Sequence, residues 1–188
     1  MASISSKEFW NAWKNVVLKR HDEICANWCD NPSYTKMIIS NENSVVMDVA
    51  KELSIHCFNG DYYSTDSVFY SDDDIIPEVN GVWLRDMRIA FEHENSFNSG
   101  LYQEVAHLLL LNSDLKVLVT YPYDNDEELE SKELDYLHGV ISGNRHANLI
   151  SDTESFLIIF GYGEEMPRKW LGLIFKKDDW KPIGLFDI

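Results

Sequence analysis

The sequence predicts one mixed α/β domain, a central β-sheet flanked by helices, with extra helices at the N-terminal side and a β-hairpin at the C-terminal side. Three observations lead there. Apolar residues recur at helical spacing through the first fifty positions. Runs rich in aromatic and β-branched residues follow, bounded by turn residues. Helix-like and strand-like segments then alternate, and the segment from Leu115 to Tyr121, LKVLVTY, has the near-continuous apolar pattern of a strand covered on both faces. A length of 188 residues suits a single domain over 1–188. With 45% hydrophobic and 13% aromatic residues there is ample core material.

In chain order, Ser6 to about Asp30 reads as a helix, because Phe9, Trp13, Val16, Val17, Arg20 and Ile24 fall near helical spacing; Ser5 or Ser6 caps it and Asn31-Pro32-Ser33 ends it. Ser44 to Leu53 is a second helix with Val45, Val46, Val49, Ala50 and Leu53 as its stripe. Asn59-Gly60-Asp61 is a turn. Tyr62 to Tyr70 reads as a strand closed by the charged turn Ser71 to Asp74. Val82 to Glu94 is another strand, or two with a kink, in which Met87, Ile89 and Phe91 alternate with Arg88, Ala90 and Glu92. Leu101 to Leu111 is a helix, Leu115 to Tyr121 a strand, and Asp124 to His138 a very acidic helix. His138, Gly139, Gly143 and His146 read as a helix end and loop. Phe156 to Tyr162 and Trp170 to Lys176 form the hairpin.

The formal net charge of −16 keeps the chain soluble and repels polyanions unless cations intervene. No run approaches the roughly 20 apolar residues of a membrane span, so no membrane partner is expected. The N-terminus has no basic start and apolar middle, and the three cysteines, Cys25, Cys29 and Cys57, are an odd, small set. Together these point to reduced thiols and a cytoplasmic location. Cys25-x-x-x-Cys29, with His21 and His56 elsewhere, lacks a matching second pair and reads as ordinary helix-face cysteines.

The chemistry concentrates in Ile89 to Asn95, IAFEHEN. Residues two apart share a strand face, so Glu92 and Glu94 point the same way, roughly 6–7 Å apart, and repel unless a cation or proton intervenes. Asp66 lies among residues that look buried and needs a partner there. If the strand holding Asp66 pairs antiparallel with RIAFEHEN, Asp66 sits beside Glu92. Oxygen ligands of this kind suit Mg²⁺ or Mn²⁺. His93, between the acids, is expected to be exposed, and His107, on a Leu-rich helix, to be structural.

This order of elements, a strand with Asp66, a strand with Glu92-x-Glu94, a helix, then an apolar strand, resembles the PD-(D/E)XK or restriction endonuclease-like superfamily over roughly residues 44–121. Glu94 stands where that family carries lysine, and Thr65 where proline often precedes the aspartate. The resemblance implies a restriction endonuclease-like mixed sheet and an Mg²⁺- or Mn²⁺-dependent nuclease. Asp66, Glu92 and Glu94 take the catalytic, metal-holding positions, the His93 carbonyl assists, and Glu52 from the preceding helix is a further ligand. Gln103 and Glu104 fall where supporting polar residues are placed, and Arg85, Arg88 and the C-terminal group Arg168, Lys169, Lys176, Lys177 and Lys181 are candidates for phosphate contacts. The partner is then nucleic acid. The competing expectation, favoured by net charge, is a non-catalytic acidic interaction protein of inhibitor, immunity or DNA-mimic type that binds a basic protein.

Overall fold

The computed structural model describes residues 3–28, 30–40, 42–97, 100–123 and 126–188. A seven-stranded mixed sheet runs through it in sequence order: β1 (His56–Phe58), β2 (Ser67–Tyr70), β3 (Met87–Glu94), β4 (Ser113–Thr120), β5 (Phe156–Tyr162), β6 (Lys169–Phe175) and β7 (Trp180–Asp187). The first three are antiparallel to one another, β3, β4 and β5 are parallel, and β5, β6 and β7 are again antiparallel. Parallel neighbours need crossovers, and these are α5 (Leu101–Leu110) between β3 and β4, then α6 (Glu127–Ser142) and α7 (Ala147–Thr153) between β4 and β5.

The helices before the sheet cover its other face: α1 (Ser6–Lys19), α2 (His21–Asn27), α3 (Asn31–Thr35), a π-helical turn at Lys36–Ser40, and α4 (Val45–Glu52). Two cores result. One joins Phe9, Trp13, Val46 and Val49 to Phe69, Ile89, Phe91, Val117 and Ile159. The other joins Leu101, Val105, Leu108 and Leu137 to Ala90, Leu118, Ile158 and Phe160. Alternation along β3 therefore sends Ile89, Phe91 and His93 towards α1, and Arg88, Ala90, Glu92 and Glu94 towards α5. Trp10, Trp28 and Trp170 are buried, and Trp180 packs half-buried against the second core. Trp10 lies flat across β6 and β7, where a Cβ at Gly184 would collide with its indole, so glycine permits this approach.

Several elements differ from the sequence expectation. The first helix stops at Lys19, because Arg20 leaves helical geometry (φ −105°, ψ 18°). Its guanidinium is held by Glu23, Asp48 and the Asn43 carbonyl, and α2 starts afresh after it. The Tyr62 to Tyr70 strand shortens to β2, since Tyr62 and Thr65 bridge each other around Tyr63 and Ser64, both in left-handed conformation. Val82 to Glu94 shortens to β3, with only Leu84 bridging, to Ile75. The expected hairpin is present and gains β7, an edge strand whose Pro182 sits at a register shift opposite Leu173, where a missing N–H is tolerated. α6 continues through Gly139 to Ser142, the expected loop is confined to residues 143–146, and α7 follows it; the Asp124 start of the acidic helix lies outside the described residues. Cys29 also lies outside them; Cys25 contacts His21 at 3.4 Å. Among the described residues, no helix is long and apolar enough to cross a membrane.

Candidate metal centre

β2 and β3 pair with Ser67 opposite Phe91 and Val68 opposite Ala90. Continuing that register by one residue sets Asp66 beside Glu92, on the face covered by α5. The contacts agree. The Asp66 N–H donates to Glu92 Oε2 at 3.2 Å, and the His93 N–H donates to Asp66 Oδ2 at 2.8 Å. Asp66 stands one residue before β2, so its backbone is free of the ladder and its carboxylate folds back onto the neighbouring strand.

From above, α5 lowers two side chains onto Glu92. His107 Nδ1 is 2.8 Å from Glu92 Oε1. Glu104 lies one turn earlier, and one ligand atom each from Glu92, Glu104 and His107 fall within 4.8 Å of one another. Residues three apart on a helix share a face, so Glu104 and His107 necessarily point together. α5 is fixed there by Leu101, Val105 and Leu108, its buried stripe.

Acids dominate the electrostatics, and His107 is the basic group among them, its charge working to lower Glu104. Glu92 is 2% exposed. Burial, then the charge of Asp66, pushes its carboxyl up to about 9. Burial also raises Asp66. Glu104 is raised by burial and by the charges of Asp66 and Glu94. Among the described residues, no lysine or arginine pairs with any of the three. Glu94 is half-buried at the strand end, with its Oε1 accepting the Ser96 N–H at 2.6 Å, close enough for its charge to be felt at Asp66 and Glu104.

The sequence-derived residues are thus placed unequally. Asp66 and Glu92 meet, and Glu94 stands at the edge of the same group. Glu52 does not join them: α4 packs on the other face of the sheet, and the Glu52 carboxylate pairs with Lys19. Gln103 turns to the Tyr102 hydroxyl. His93 is buried rather than exposed, because its odd-numbered place in β3 faces α1. There Nε2 contacts the Tyr121 hydroxyl at 2.8 Å, Nδ1 has no partner, and burial pulls the ring down to about 3, so it is neutral. His107, expected to be structural, touches the Glu92 carboxylate. Its signal was the Glu104–His107 spacing beside a Leu-rich stripe.

The expected phosphate contacts also change. Arg88 is clamped by Asp74 and Asp114, and Arg85 donates to the Asp73 carbonyl. Lys176 and Lys181 pair with Glu154.

On the opposite face, at the ends of the parallel strands, a cavity of about 510 Å³ opens among Trp28, Tyr34, Asn95, Tyr121 and Tyr123. Asn95 follows Glu94 directly, so cavity and carboxylates share one rim. Comparison with family models gives no match, and comparison with curated proteins gives none either.

Proposed function

We propose that the chain is a divalent-metal-dependent nuclease of restriction endonuclease-like architecture, hydrolysing phosphodiester bonds at the Glu92 cluster. The observation that carries it is the convergence of Asp66, Glu92, Glu104 and His107, with no lysine or arginine paired with these acids among the described residues. The succession α4, β1, β2, β3, α5, β4, with one acid just before β2 and two near the end of β3, supports the same reading. Three buried or half-buried carboxylates with raised proton affinities are a costly arrangement, and a hard cation offsets it.

The donor set fits such an ion: carboxylate oxygens with one imidazole suit Mn²⁺ at least as well as Mg²⁺. Glu92, Glu104 and His107 would hold it, with Asp66 alongside. A cation bound there supplies a water of lowered pKa and stabilises charge on the phosphoryl oxygens. Glu94, at the rim in the slot where the resembled family has lysine, is the group to orient the attacking water. Asp66, held by the His93 N–H, fixes the side of Glu92 that faces it. The aromatic cavity beside Asn95 offers stacking surface for an unpaired base.

The test is calorimetric titration of the full chain with Mn²⁺ and Mg²⁺, alongside cleavage of single- and double-stranded oligonucleotides. Wild type is expected to bind Mn²⁺ and cleave, and Glu92→Gln to lose both, the cleavage by about 100-fold or more. Absence of metal binding by wild type ends this reading. The net charge of −16 favours a second one, an acidic interaction protein on the same fold. That protein shows no metal site and binds a basic partner in a salt-sensitive manner.

A further inference from the structure

We propose that the buried ammonium of Lys116 anchors a short-chain organic carboxylate in a second cavity, towards the other end of the parallel strands. That cavity holds about 470 Å³ and lies where α5 ends and β4 and β5 begin. Lys116 lines it and is 7% exposed. Among the described residues its ammonium reaches only the carbonyl and hydroxyl oxygens of Ser113, at 3.4 and 3.3 Å, both longer than a good hydrogen bond. It makes no ion pair among the described residues.

The two acids lining the same cavity are already taken. Asp114 faces Arg88 at 3.3 Å, and Glu154 faces Lys176 at 2.8 Å and Lys181 at 3.5 Å. What remains is one ammonium, buried without an ion pair among the described residues and with its nearest acidic influence, Asp114, already shared with Arg88, a state that favours capture of an anion. Burial lowers its proton affinity, and the charge of Asp114 works the other way without reversing the shift. Nothing in the metal centre uses this group: its hydrogen bonds go to Ser113.

Charge and shape narrow the ligand. A single ammonium balances a monoanion, so a carboxylate matches better than a dianionic phosphate monoester. The cavity far exceeds the volume of a carboxylate group alone, and Ile4, Leu109, Leu111, Leu149 and Ile150 supply apolar wall. An acyl body attached to the carboxylate fills it.

Hexanoate is the probe, titrated into the full chain by calorimetry and by ligand-observed NMR. Acetate keeps the charge without the body, hexanamide keeps the body without the charge, and hexyl phosphate doubles the charge. Hexanoate is expected to bind at least about 10-fold more tightly than each of these. Lys116→Met should abolish the preference over hexanamide. Should that variant fail to fold, Leu149→Asp sets a repelling charge at the rim on a side chain 59% exposed, and should weaken hexanoate about 10-fold with little change in melting temperature. Glu92→Gln should bind hexanoate like wild type, which separates this site from the metal centre. The proposal falls if wild type ignores hexanoate, if hexanamide binds equally well, or if Leu149→Asp binds unchanged. Tighter binding of hexyl phosphate overturns the carboxylate assignment.

Discussion

β3 carries two charged sites on one face, four residues apart, and they are opposites. At Arg88 every charge is answered. The guanidinium grips both oxygens of Asp74, at 2.6 and 2.8 Å, and reaches Asp114 at 3.3 Å. The Ser71 N–H and hydroxyl both donate to Asp74 Oδ2, at 2.8 and 2.7 Å. Burial alone would raise the Asp74 carboxyl, but the bonds from Arg88 and Ser71 outweigh it and hold it at about 2. At Glu92 the same degree of enclosure has the Asp66 and Glu104 carboxylates beside it and the His107 imidazole in place of a guanidinium, and the carboxyl sits at about 9. Burial is common to both, so the partners decide the direction. A closed ion pair of the first kind stabilises a fold. An open cluster of the second kind destabilises it until something positive arrives, which is the pattern of a working site.

The largest effect is expected from breaking the closed site. Arg88→Met leaves the Asp74 side chain, 4% exposed, without its counter-ion. The loss should be about 3–5 kcal/mol in urea denaturation. A loss under about 1 kcal/mol would mean that Ser71 alone suffices and that the contrast with Glu92 is overstated.

The open site should respond the other way. Without metal, Glu92 has a proton affinity raised from 4.5 to about 9 on folding. A raised folded-state value means that the favourable contribution is complete below about 4.5 and is lost as pH climbs towards 9. Glu92→Gln removes that decline, so the variant should be more stable than metal-free wild type by about 1–2 kcal/mol at pH 8 and about equal at pH 4.5. Melting curves across that range decide it. Parallel pH profiles for the two proteins would show that the carboxylate is not under strain. Saturating Mn²⁺ should flatten the wild-type profile as the substitution does.

How far this site was readable in the sequence follows from what each residue depends on. Asp66 and Glu92 are carboxylates set among apolar and aromatic residues in adjacent strand-like runs, and period-2 alternation plus one antiparallel pairing brings them together. That needs only local geometry. Glu104 and His107 share a helix face by spacing, but whether that face meets Glu92 depends on the side of the sheet that α5 covers. Glu52 failed for the same reason: its helix packs on the α1 side. The fold shows the same division. β4 and β5 announce themselves as apolar runs bounded by turns. β1 is three residues long, and β7 is interrupted by Pro182 and Gly184, so neither carries a local signal and both exist only because a neighbouring strand offers a ladder. The break at Arg20 is likewise invisible locally, since arginine is a good helix former and its partners come from Asn43 and Asp48.

The smallest effect sharpens the comparison most finely. Ser71 gives Asp74 two hydrogen bonds, one from the backbone and one from the hydroxyl, and Ser71→Ala removes only the second. A hydrogen bond to a charged group is worth about 1.5–3 kcal/mol, but the bidentate Arg88 remains and keeps Asp74 ionised, so a loss near about 1 kcal/mol is expected at pH 7. The pH dependence carries the sign. Asp74 has a folded-state value held at about 2, below its ordinary 3.8, so its contribution is present above about 3.8 and disappears as pH falls towards 2. Losing one donor lifts the folded-state value, so the variant's acid limb should begin at higher pH and the two proteins should converge below about pH 2. The Glu92 limb, on the alkaline side, should not move. Acid and alkaline melting curves of Ser71→Ala therefore test whether the two ends of β3 titrate independently, and a shift on the alkaline side would show that they are coupled through Asp114 or the strand itself.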